Sequence, residues 1–144
     1  MIRIAFISII FVILSNCNAS QTSESYQFDK LLIQKFPPQA PSALPRSFFP
    51  EDAKFIASSE LKSNFSNLKE ASLRLTTEQS ETEVKEKIKA RAKLGDWSLV
   101  DETKNGESTT FLLEGFVKKS LSIVVAKSGN LTEVHFLYKK QSNY

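Results

Sequence analysis

The stretch Ser80–Trp97, SETEVKEKIKARAKLGDW, carries a complete set of helix signals, and its reading decides how the rest of the chain is laid out. Ser80 with Glu83 three residues later is a capping box, in which hydroxyl and carboxylate each satisfy an orphaned amide at a helix start. Glu81, Glu83 and Glu86 crowd the first turns and Lys89, Arg91 and Lys93 the last, so the side chains oppose the macrodipole. Gly95 supplies the left-handed stop. Val84, Ile88 and Ala92 recur every fourth residue and form a narrow apolar stripe, enough to seat the helix on a flat surface but not to bury it all round. The other faces carry Lys85, Lys87, Lys89 and Lys93, with Glu81 to Lys85 and Glu83 to Lys87 at ion-pairing distance. This basic face is read as solvated.

Downstream the period changes from helical to alternating. Trp97–Thr103, then Thr109, Phe111 and Leu113, then Leu121, Ile123 and Val125, then Thr132, Val134, Phe136 and Tyr138 read as strands with one buried face. Lys104-Asn105-Gly106 and Ser128-Gly129-Asn130 are hairpin turns between them. Upstream, Lys54–Ser59 and the alternation of Ala71, Leu73, Leu75 and Thr77 give two more. The expected fold class is therefore α+β, an antiparallel sheet in ββαβββ order with one main helix packed on one face. In outline this is similar to helix-grip and cystatin-like domains, a likeness of fold that implies no function.

Before this domain, placed at residues 51–140, all five prolines fall between Pro37 and Pro50, which reads as a stiff connector. Tyr26–Phe36, YQFDKLLIQKF, is too apolar to stand in water. It is expected, with Phe48 and Phe49, to fold back over the sheet face opposite the helix, where Val100, Leu112, Val124 and Leu137 would otherwise lie bare beside Ser98, Ser122, Glu133 and His135; the alternative is that this face is a subunit or partner surface. Residues 18–25 are small and polar, as in a flexible tether.

The first 16 residues have a basic start at Arg3 and an uncharged apolar run from Ile4 to Leu14, the proportions of an export signal. Leu14-Ser15-Asn16-Cys17 follows directly. It resembles the lipobox of bacterial lipoproteins, in the looser form of spirochaete lipoproteins that accepts Asn at position 16. The resemblance covers residues 1–17 only. It implies that residues 1–16 are removed and that Cys17 carries a diacylglycerol and an acyl chain of the palmitate kind. Residues 17–50 would then be lipidated cysteine, tether and Pro-rich linker, with the protein held at the cell envelope, on the outer membrane. The other reading is cleavage after Ala19 and release of a soluble protein.

Nineteen Lys and Arg stand against 16 Asp and Glu, a net charge of +3 that is too mild to indicate nucleic acid. A single cysteine excludes a disulfide within the chain. His135, the one histidine, has Glu133 two residues away, formally a Ser-His-Glu geometry, but no nucleophile-elbow motif accompanies it. Asp101-Glu102 and Glu51-Asp52 are adjacent carboxylates, which in a strand point to opposite faces and so do not converge. No catalytic residue, metal ligand or cofactor is expected, and the chain is not read as an enzyme.

Gly115-Phe116-Val117-Lys118-Lys119 is different. Phe116 and Val117 are apolar where turns are polar, with Lys118 and Lys119 behind them, which makes these four residues a candidate contact surface for a partner or a bilayer; the other reading is a strand that runs through and buries them. The expected function is a lipid-anchored, non-catalytic binding or scaffolding module with an envelope protein as partner. The alternative is a carrier that holds an apolar ligand between sheet and helix against Trp97, Phe111, Ile123 and Phe136.

Overall fold

The computed structural model describes residues 21–61 and 68–141. The Cys17 lipobox and the export signal lie outside the described residues. Among the described residues, eight antiparallel strands form one sheet: β1 (Glu24–Phe28), β2 (Leu31–Lys35), β3 (Lys54–Leu61), β4 (Leu68–Thr77), β5 (Trp97–Asn105), β6 (Ser108–Gly115), β7 (Lys119–Ser128) and β8 (Leu131–Gln141). Their spatial order is β1-β2-β3-β4-β8-β7-β6-β5. One helix, α1 (Glu81–Ala92), separates two four-strand meanders and carries the chain from central β4 to edge β5.

This corrects the α+β expectation. Four strands, not two, precede the helix, and the chain is a mainly-β sheet in ββββαββββ order rather than ββαβββ. Before the helix the difference lies in Tyr26–Phe36, which does not fold over the sheet but extends it as the β1–β2 hairpin, paired to β3 from Leu31↔Leu61 to Lys35↔Ala57; after the helix the strands are the four that the alternation marks, one more than the ββαβββ order counts. Neither strand alternates cleanly, because Leu31, Leu32 and Ile33 put apolar groups on both faces of an edge hairpin.

The helix forms as its residues dictate. Ser80 Oγ accepts from Glu83 N at 3.3 Å and Glu83 Oε2 accepts from Ser80 N at 2.7 Å, so both halves of the capping box are made. That engagement takes Glu83 away from Lys87, while Glu81 pairs with Lys85 as its spacing predicts. Gly95, at φ 100°, lies just beyond the last turn. Val84, Ile88 and Ala92 are buried against the sheet, each large apolar side chain contributing roughly 1.5–3 kcal/mol.

The helix covers only part of the inner face. The Pro-rich segment covers much of the rest: Ala40, Leu44 and Phe48 belong to the same core as Leu73, Ile123 and Phe136. Phe48, in a 3-10 turn at Arg46–Phe48, meets Trp97 edge-on at 6.3 Å, and Phe49 meets Phe136 at 5.0 Å. The expected division at residue 51 therefore runs through a shared core. Trp97, placed by sequence at the helix end, completes this layer against Tyr138.

Asp52 clamps the entry to the helix. Its carboxylate accepts from Thr77 Oγ1 and, at 2.6 Å, from Glu78 N. Thr77 Oγ1 in turn accepts from Gln79 N, and Thr132 Oγ1 donates to Gln79 O at 2.8 Å. The Thr77 hydroxyl is the main cause holding the Asp52 carboxyl below its usual range, followed by the Glu78 amide. A depressed carboxyl pKa contributes stability that is complete above the unfolded value and is lost as pH falls through the folded one. Acid titration of unfolding should therefore show stability declining below about pH 4 in the native chain, with a shallower decline in Asp52→Asn. Identical acid limbs would show that the clamp carries no stability.

Candidate functional site

Residues facing away from the helix form a surface that no element of the described chain covers. Register places them in cross-strand rows. One row runs Ser59, Ser72, Leu137, Ser122, Leu112 and Asp101 across β3, β4, β8, β7, β6 and β5. The next runs Leu31, Leu61, Glu70, Lys139 and Ser120 across β2, β3, β4, β8 and β7. All of these except Asp101 line an open trough of about 440 Å³.

The trough has leucine walls and a serine floor. Leu31, Leu61, Leu112 and Leu137 line it, with Ser59, Ser72, Ser120 and Ser122 between them. Ser59 and Ser72 bond to each other at 2.7 Å, which satisfies hydroxyls that would otherwise need water. Glu70 pairs with Lys139 at 3.2 Å and Arg74 with Glu133 at 3.6 Å, so this face largely neutralises its own charge. Tyr26, Phe28 and Ile33 prolong the apolar character onto the β1–β2 hairpin, where they stay exposed. The sequence had placed Leu112, Val124 and Leu137 here correctly; Val100 instead sits at a bulge in β5 between Leu99 and Asp101.

That bulge also decides where two carboxylates go. Glu102 turns to the helix side and pairs with Lys89 at 3.0 Å, whereas Asp101 accepts from Thr103 at 2.6 Å. Glu51-Asp52 likewise gives no converging pair, since Asp52 is spent on the clamp described above. His135 lies on the open face between Arg74 and Val124 on the neighbouring strands, and no hydroxyl stands directly across from it. Burial is the main cause lowering its pKa, followed by Arg74, with Glu133 opposing. Among the described residues no three His, Cys, Asp or Glu side chains gather as metal ligands, and no helix is long and apolar enough to cross a membrane. Phe111, Ile123 and Phe136 are fully buried and Trp97 nearly so, all within one packed core, so sheet and helix would have to part for an apolar ligand to reach them.

Phe116, Val117 and Lys118 form the β6–β7 turn, with Gly115 paired to Lys119. Phe116 is 70% exposed and Val117 65%, so the strand does not run through and bury them. Val117 and Lys118 both have positive φ, 64° and 48°. For a β-branched residue that conformation is a true outlier, costing roughly 1–3 kcal/mol. Val117→Asn, which tolerates it, is expected to raise unfolding free energy by about 1 kcal/mol in urea melts; a loss of that size would mean that the valine side chain is held by packing.

Comparison with known proteins gives no family model that matches the chain and no curated relative in sequence.

Proposed function

We propose that this chain is a lipid-anchored protein of a bacterial cell envelope whose sheet works as a non-catalytic binding module. The observation that carries the binding role is the open trough of Leu31, Leu61, Leu112 and Leu137 over paired serines. Apolar side chains lined up on several adjacent strands favour contact with another apolar surface over water. Because the neighbouring charges are paired on the same face, the partner chemistry that fits is an uncharged, apolar segment of another envelope protein. The membrane role rests on the resemblance of Leu14-Ser15-Asn16-Cys17 to a lipobox, which would put an acylated residue a short polar tether before β1.

A photo-crosslinking residue at Leu137 in native membranes tests the binding reading. The expected result is one discrete protein adduct, lost when Leu112→Glu is added and absent when the crosslinker replaces Lys127 at the far end of the sheet. An adduct with lipid alone would make the trough a carrier site. Equal adducts from both positions, or none, would contradict the proposal.

A further inference from the structure

We propose that the end of the sheet bearing the β6–β7 turn is a second contact surface, which lands on anionic phospholipid headgroups. Three lysines stand side by side there. Lys69 on β4 is in register with Lys140 on β8, and Lys140 with Lys119 on β7. Each lies two residues beyond a buried residue of the inner face, Ala71, Tyr138 and Leu121 respectively, so by alternation all three point to the same side. Like charges directly opposite in a sheet are destabilising, and among the described residues no carboxylate pairs with any of the three. An arrangement that costs the free fold in this way is relieved by an external anion.

Exposed apolar groups lie at the same end of the sheet. Leu94, just past the end of α1, is 73% exposed, and Phe116 and Val117 project from the strained turn beside Lys118. Lys118 O accepts from Gln141 N at 3.2 Å, which ties that turn to the β8 end of the lysine row. Exposed apolar side chains amid unpaired lysines match a bilayer surface, where headgroups meet the cations and the acyl boundary meets Phe116. An acidic protein would satisfy the lysines but would offer less to Phe116, Val117 and Leu94. The opposite end of the sheet is of mixed, paired charge, with Glu78 held by Lys54, Glu81 by Lys85, and Asp52 by Thr77 Oγ1 and Glu78 N.

The tether permits this pose. Cys17 is seven residues from Glu24 and can reach about 25 Å, while β1 runs only about 13 Å from Glu24 toward the lysine end.

The test uses the chain from residue 18 onward, which lacks the lipidated residue and keeps every residue the structure describes. Its outcome is therefore independent of Cys17 acylation, and the lysine row lies on the helix side of the sheet, the face opposite Leu112, whose substitution tests the trough. Cosedimentation is measured with vesicles of phosphatidylcholine alone and with added phosphatidylglycerol. Partition onto the anionic vesicles is expected to be at least roughly tenfold stronger and to collapse at high salt. Lys119→Gln with Lys140→Gln should weaken it about 25-fold, roughly fivefold for each lysine, while raising Tm by about 2–5 °C as the repulsion is relieved. Phe116→Ser should weaken binding and leave its salt dependence in place. Equal partition onto neutral and anionic vesicles overturns the proposal, as does undiminished binding by the double variant. Binding to soluble polyglutamate without binding to vesicles would assign the surface to an acidic protein instead.

Discussion

Phe48→Ala is expected to remove about 3–5 kcal/mol from the free energy of unfolding, measured by urea denaturation. Phe48 is fully buried, and its ring meets Trp97 edge-on at 6.3 Å while the Arg91 guanidinium lies 5.9 Å from its centroid. Truncation would open a ring-sized cavity beneath the Pro-rich segment. Prolines hold that segment stiff and cannot close the gap by collapse, so the cost belongs at the upper part of the range. Against a total stability of about 5–15 kcal/mol, such a loss is severe. Phe28→Ala, at a side chain that is 60% exposed on the edge hairpin, should change stability by no more than about 0.5 kcal/mol. If Phe48→Ala were equally mild, residues 37–50 would be a linker resting on the domain rather than a layer of it.

Ile88→Ala should cost about 2–5 kcal/mol in the same measurement. Ile88 is the central residue of the α1 stripe and is fully buried, with Val84 and Ala92 one turn to either side. The helix is short and its remaining faces are charged, so tertiary contact rather than intrinsic propensity holds it in place. Loss of helical circular dichroism before loss of the sheet signal would show α1 detaching as a unit. A Lys87→Ala control, on the exposed face, should be close to neutral. Equal effects at the two positions would contradict the seating of the helix through this stripe.

The parts of this fold that were legible in sequence are those fixed by local chemistry. Ser80 and Glu83 announce the helix start because their bonds span three residues. Gly106 and Gly129 announce hairpins because each occupies the positive-φ first position of a two-residue turn. The β1–β2 hairpin gave no such signal, since its turn places Asp29 at φ 45° with no glycine present. Leu44 and Phe48 sit among prolines, and only their packing against distant strands makes them core. Bulges beside Ile56 and Val100 shift the alternation by one residue, which is why Glu102 meets Lys89 on the helix side.

The surfaces were legible in part. Leu112 and Leu137 could be placed on the open face from alternation, and Phe116 and Val117 stood out as apolar residues before a lysine pair. What joins Lys119 to Lys140 and Lys69 is ladder register between strands far apart in sequence, and no local pattern carries it. The serine floor is similar: Ser59 and Ser72 meet only because β3 and β4 pair in that register.

Membrane attachment at Cys17 is the central claim, since it places both surfaces at an envelope. It is tested most directly by the intact mass and N-terminal peptide of the protein from the membrane fraction of its native cells, beside a Cys17→Ala chain. The account predicts a chain that starts at Cys17 and carries acyl groups, with the alanine version lost from that fraction. A chain that starts at Ser20 without acyl groups, and is recovered from the soluble fraction in both versions, would contradict it.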